Sequence, residues 1–139
     1  MPELGSTVGK LRDVITQNLR RRFAQYEGVH LTVEEYILLY RIQKEKESTI
    51  LQDLVDLTGK SKSTVLHIVD SIEQKGLLHR AVNPKDHREN HLIITPEGEE
   101  VFAAHYEMEK ALTRQLLRGI SSRQIESFLK TIEKIKSNN

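Results

Sequence analysis

Residues 49–95 read TILQDLVDLTGKSKSTVLHIVDSIEQKGLLHRAVNPKDHRENHLIIT, and this stretch decides the fold. A short amphipathic segment runs from Ile50 to Leu57 and breaks at Gly59; a longer one runs from Lys62 to Lys75 and ends at Gly76. Leu54, Val55, Val65 and Ile68 fall where two helices joined by a tight turn need core residues. Gly59 falls where the turn needs left-handed backbone. The spacing predicts a helix-turn-helix. After it come two β-prone runs, Leu77 to Val82 and His91 to Thr95, flanking the polar segment Asn83 to Asn90 with its Pro84. A helix-turn-helix followed by a hairpin is a winged helix.

Working outward, Leu4, Val8, Leu11, Ile15, Leu19, Phe23 and Tyr26 recur at steps of three and four and draw one helical stripe. Lys10, Arg12, Arg20, Arg21 and Arg22 lie off that stripe and read as a solvated face rather than a DNA contact. Thr32 with Glu35 is a capping box opening a helix to about Gln43. The same spacing recurs at Thr49 with Gln52 and at Ser121 with Gln124, while Thr95-Pro96 opens a long helix to about Arg118. Ile125, Phe128, Leu129, Ile132 and Ile135 form the stripe of a last helix. The expected fold is mainly α, about six helices with a small β-hairpin wing. It forms a single domain over 1–139, with the winged helix at about 32–95 and dimerisation helices at about 4–27 and 96–136. A small winged unit cannot cover both terminal stripes, so a homodimer with interleaved first and last helices is expected.

At 139 residues and 37% hydrophobic content, the chain allows one modest core. Its net charge of +1 neither demands nor excludes nucleic acid, so the local distribution decides. From Lys60 to His91 there are six Lys or Arg against four Asp or Glu, with four of the six histidines; from Gly28 to Gly59 there are three basic against six acidic residues. The basic segment coincides with the helix-turn-helix and wing. The absence of cysteine excludes disulfides and thiolate chemistry. The longest apolar run, Tyr36 to Tyr40, is too short to span a bilayer, so a cytoplasmic protein without a membrane partner is expected. Gly5 to Lys10 falls one residue short of a phosphate-binding loop and follows no strand. No nucleophile elbow, metal-ligand motif or cofactor loop is visible, so neither an enzyme nor a cofactor is implied. His105 and Glu109 are spaced as two metal ligands, which is half a site, and no metal is expected.

Asp86-His87-Arg88, followed by Leu92-Ile93-Ile94-Thr95-Pro96-Glu97-Gly98, resembles the wing signature of the multiple antibiotic resistance regulator (MarR) family of winged-helix transcription factors. Ser63-Thr64-Val65 through Asp70, with Lys75-Gly76-Leu77, is similar to that family's recognition helix. Leu31-Thr32-Val33-Glu34-Glu35-Tyr36 is similar to the start of its second helix. The resemblance covers nearly the whole chain. It implies a homodimeric, sequence-specific DNA-binding regulator, most often a repressor, released by small aromatic ligands bound between the dimerisation helices and the winged domain. Tyr26, Tyr36, Tyr40, Phe102 and Tyr106 lie on segments that would wall such an effector pocket, although each also suits ordinary core.

Within the recognition segment Ser61 is the expected N-cap, which puts Lys62, Ser63, Thr64 and His67 on the first two turns, where an inserted helix meets base edges and phosphates. In the wing, Lys85, His87 and Arg88 are the expected contacts, with the Arg88 guanidinium suited to a minor groove. Asp70 or Asp86 could instead pair with Arg88 and brace the wing against the helix. The family commonly has arginine where His67, Ser71 and His87 stand, so charge at the two histidine sites depends on pH. A winged helix used as a protein-interaction adaptor, meeting an acidic partner, is the alternative; it needs neither two copies at fixed spacing nor a salt-steep affinity for DNA.

Overall fold

The computed structural model describes residues 1, 3–45, 49–82 and 90–139. The chain divides into two compact units, Met1–Glu109 and Lys110–Asn139. Among the described residues the order is α1 (Leu4–Ala24), α2 (Val33–Lys44), β1 (Thr49–Ile50), α3 (Leu51–Thr58), α4 (Lys62–Gln74), β2 (Leu78–Val82), β3 (Asn90–Ile94), α5 (Pro96–Leu116) and α6 (Ser122–Ser137). Helix α5 runs through the boundary between the units.

The expected helix-turn-helix is α3 and α4. Gly59 ends α3 at φ +68° and donates its N–H to the Val55 carbonyl at 3.1 Å, a left-handed cap that a side chain would strain. Ser61 then opens α4, its Oγ accepting from the Thr64 N–H at 3.2 Å. That cap contributes ~1 kcal/mol. Burial contributes more: Val65, Ile68, Val69 and Ile72 are buried along one face of α4, and each such side chain is worth roughly 1.5–3 kcal/mol. Leu54 of α3, Leu38 and Leu39 of α2, Phe23 of α1, and Leu77 and Leu78 at the start of the sheet are buried as well.

The wing is larger than the expected hairpin. Strand β3 lies between β1 and β2, both antiparallel to it, with Thr49 opposite Leu92 and Leu78 opposite Ile94. The capping box expected from Thr49 and Gln52 does not form. Thr49 is buried in the sheet, α3 starts two residues later with the Asp53 carboxylate accepting the Ile50 N–H at 3.1 Å, and Gln52 bonds to Asp56. Backbone pairing to β3 uses the residues that would otherwise have opened the helix. The boxes at Thr32–Glu35 and Ser121–Gln124 form as expected.

Gly98 fixes how α5 leaves the sheet. A Cβ there would collide with the Leu77 carbonyl oxygen, so only glycine lets the first turn of α5 lie against the backbone just before β2. In the first unit, Leu4, Val8, Leu11 and Val14 of α1 are exposed; in the second, Phe128, Leu129 and Ile135 of α6 are exposed. No helix of the described residues is long and apolar enough to cross a membrane.

Candidate nucleic-acid interface

The two halves of α4 have different surroundings. On the front half, Lys62, Ser63, Thr64 and His67 are all exposed, and Ser61 just before them is exposed too. The Ser61 hydroxyl donates to Thr64 Oγ1 at 2.8 Å, which fixes the threonine rotamer while leaving its surface open. This face offers an ammonium, two helical hydroxyls and an imidazole at the start of a helix whose opposite side is core. Such a set can bond phosphate oxygens and base edges.

The rear half is tied down on two sides. Toward α2, the Glu35 carboxylate is almost completely buried. It accepts from Lys75 Nζ at 2.6 Å, from Ser71 Oγ at 2.6 Å and from the Thr32 N–H at 2.8 Å. Burial pushes the Glu35 carboxyl up, but the bonds from Lys75, Ser71 and the Thr32 backbone outweigh it and hold its pKa below the usual value. Lys75 Nζ also donates to the His30 carbonyl at 2.9 Å. Ser71 is therefore spent on an internal bond.

Toward the sheet, Asp70 pairs with the Arg80 guanidinium of β2, and Glu73 lies 3.8 Å from Arg80 Nε. The bracing contact expected of Asp70 thus has Arg80 as its described partner. Lys85, Asp86, His87 and Arg88 lie outside the described residues.

Of the five aromatic residues assigned to an effector pocket, Tyr36, Tyr40, Phe102 and Tyr106 pack on one another. Phe102 stacks on Tyr36 at 5.4 Å between centroids and on Tyr106 at 5.9 Å, and Tyr40 tilts against both Phe102 and Tyr106. Tyr36 is fully buried and donates its hydroxyl to Glu109 at 2.7 Å; burial, reinforced by that carboxylate, pushes its phenol well above the usual range. Tyr26 meets the edge of His105 at 5.0 Å. Open volume lies nearby, in a cleft of about 270 Å³ lined by Arg20, Phe23, His30, Leu31, Val33 and Lys75 among others. Phe23 belongs to both, since its ring also packs edge-on against Tyr36 at 5.1 Å.

His105 and Glu109, spaced as metal ligands, are otherwise engaged: both ring nitrogens of His105 meet backbone groups, and Glu109 accepts the Tyr36 hydroxyl. Among the described residues no group of three potential ligands converges. The contacts of Glu35 with Lys75, of Asp70 with Arg80 and of His105 with Leu31 were not visible in the sequence. Glu35 was visible only as a capping residue, and nothing local marks partners 40 or 74 residues away.

A helix-turn-helix with a three-stranded wing, an exposed polar face on its second helix and long helices before and after it in the chain is a winged-helix fold. Residues 30–89 match the sequence model of the MarR family. It is 25% identical over 126 residues to the transcriptional regulator HosA of Escherichia coli O111:H-, covering 91% of each chain. The fold superposes on the S. aureus MepR–DNA complex with a TM-score of 0.85 at 16% identity, covering 99% of both chains. It also superposes on CouR from Rhodococcus jostii RHA1 bound to p-coumaroyl-CoA, with a TM-score of 0.79 at 17% identity, covering 96% of this chain and 91% of that one.

Proposed function

We propose that this protein is a sequence-specific DNA-binding transcription regulator that acts in the cytoplasm as a homodimer, most simply as a ligand-responsive repressor. The observation that carries the reading is α4: its front face exposes Lys62, Ser63, Thr64 and His67 while its other face is core and its rear is pinned to α2 and β2. Each subunit would set that front face in a major groove and its wing, with Lys85, His87 and Arg88, at the adjacent minor groove. The MepR structure is a complex with DNA, which supports this use of the fold.

The exposed apolar residues of α1 and of α6 are the surfaces we assign to a second copy of the chain. In this scheme the winged helix spans about 32–95, and the helices at 4–27 and 96–136 dimerise. A two-fold dimer reads a pseudo-palindrome with half-sites about one turn, ~10 bp, apart. The bound p-coumaroyl-CoA of CouR supports a small-molecule response. Here the cleft bounded by Arg20, Phe23 and Lys75, backed by the Tyr26, Tyr36, Tyr40, Phe102 and Tyr106 cluster, is where an aromatic effector would act, because Lys75 is also the rear anchor of α4.

The deciding experiment is selection of fragments from sheared genomic DNA by the purified protein across a salt series, with sedimentation for its oligomeric state. A dimer retaining one palindromic site, with affinity falling steeply in salt, is expected. Sequence-blind retention or a stable monomer would overturn the reading in favour of an adaptor.

A further inference from the structure

His105 is completely buried, in the middle of α5, with its ring edge-on to Phe23 at 4.7 Å and to Tyr26 at 5.0 Å. Its Nδ1 lies 2.7 Å from the Val101 carbonyl and its Nε2 lies 3.1 Å from the Leu31 backbone nitrogen. A carbonyl only accepts and an amide N–H only donates, so the partners dictate the ring: hydrogen on Nδ1, lone pair on Nε2. Neutral imidazole alone satisfies both.

Leu31 is joined directly to the rear of α4. The preceding carbonyl, that of His30, accepts from Lys75 Nζ at 2.9 Å, and the same ammonium is held by Glu35. The next residue, Thr32, caps α2 and donates its N–H to that same carboxylate. One short segment, residues 30–32, is thus clamped between α5 and the end of α4. We propose that His105 is a positioning residue for the recognition helix, acting through Leu31 and Lys75, and that acidification releases the clamp by protonating Nε2. The proposal rests on the DNA-reading assignment of α4.

A proton on Nε2 would turn an acceptor toward the Leu31 N–H into a second donor, so the bond is lost and a cation is left in an aromatic interior. The charged and titratable neighbours are Tyr26 and His30 from the α1–α2 connection, Glu35 from α2, Lys75 from α4 and, one turn along α5, Glu109. Burial holds the His105 pKa below its ordinary value, and His30 and Lys75 push the same way; the Val101 carbonyl and Glu35 oppose them without prevailing. The unfolded chain takes up this proton near ~6.5 while the folded chain resists. The clamp therefore contributes fully above that pH and is lost as pH falls through the lower folded value.

The test uses the full chain and its best-retained duplex, comparing wild type with His105→Gln. Glutamine keeps a carbonyl for Leu31 and has no proton to gain. Between about pH 7.5 and about pH 5.5, wild-type affinity should fall about fivefold relative to the variant; the other histidines are common to both and cancel in that ratio. Hydrogen exchange, corrected for its intrinsic rate, should show the Leu31 and Lys75 amides losing protection together in wild type and not in His105→Gln. An unchanged affinity ratio overturns the proposal. Should the variant fold poorly, wild-type NMR decides: a Leu31 amide shift following the His105 ring titration supports the clamp, and a Leu31 amide indifferent to it overturns the clamp. If no duplex is retained at any pH but Leu31 and Lys75 still loosen together, the DNA reading fails and the clamp stands.

Discussion

The front and rear halves of α4 share one helix and one hydrophobic face, yet their polar residues are used in opposite ways. From Ser61 to His67 the polar groups are exposed and bond, where they bond at all, to neighbours within the same turn. From Asp70 to Lys75 they reach other elements: Asp70 to β2, and Ser71 and Lys75 to the buried Glu35 of α2. A helix that reads a groove must present its side chains without itself shifting. Under the proposed function the two requirements are separated along its length, with the exposed polar groups at one end and the contacts to α2 and β2 at the other. Substitutions at the rear should therefore change stability and affinity together, whereas those at the front should change affinity alone.

The largest effect is expected at Glu35. Glu35→Ala leaves Lys75 and Ser71 without their acceptor and removes the acceptor of the Thr32 cap, and breaking so buried a pair costs about 3 kcal/mol, discounted for the partial exposure of Lys75. Denaturant unfolding should report that loss, and DNA affinity should fall with it. The pH dependence follows from the lowered folded pKa: Glu35 contributes stability above its unfolded value of ~4.3, and that contribution disappears as pH falls through the lower folded value. Glu35→Gln should flatten this acid limb of the stability profile. A Glu35→Ala protein as stable as wild type would dissolve the distinction between the halves.

A smaller effect, and one confined to binding, is expected at the front. Lys62 is exposed on the first turn, so Lys62→Ala should leave the unfolding midpoint within about 0.5 kcal/mol of wild type. It should weaken DNA binding across all sequences and lower the salt slope by about 1 for each phosphate no longer neutralised. His67→Ala, deeper on the same face, should relax preference at one position of the operator and cost about 1 kcal/mol or more. Titrations of a selected duplex at several salt concentrations separate the two. If Lys62→Ala lost stability as Glu35→Ala does, the front could not be called independent of the fold.

What the sequence disclosed follows the same division. The helix-turn-helix was legible because Gly59, Ser61 and the 3.6-residue stripe of α4 act within a few residues, and so do the boxes at Thr32–Glu35 and Ser121–Gln124. The exposed polar face was legible for the same reason, as the complement of that stripe. Thr49 misled because its spacing to Gln52 suited a cap, while pairing with Leu92 is a long-range contact that no local pattern records. Glu35 appeared as a capping residue and proved also to be the buried partner of Lys75, and the stacking of Tyr36 on Phe102 joins residues far apart in the chain. These second roles depend on which helix packs against which, and that is settled by the whole core.

The smallest effect, and the sharpest test of the rear half as a positional device, belongs to Asp70. Its pair with Arg80 is half open to water, with side-chain exposures of 50% for Asp70 and 27% for Arg80, and Glu73 stands 3.8 Å from the same guanidinium. Screening and the second carboxylate limit the stability lost in Asp70→Ala to about 0.5 kcal/mol. Its consequence for DNA should be larger than that figure suggests, because Arg80 lies on β2, which leads into the segment carrying Lys85, His87 and Arg88. If the pair sets the angle between α4 and the wing, Asp70→Ala should weaken binding several-fold at nearly unchanged stability, and Asp70→Glu should recover part of it. Equal affinity for wild type and Asp70→Ala would mean that the α2 side, through Glu35 and Lys75, positions the recognition helix by itself.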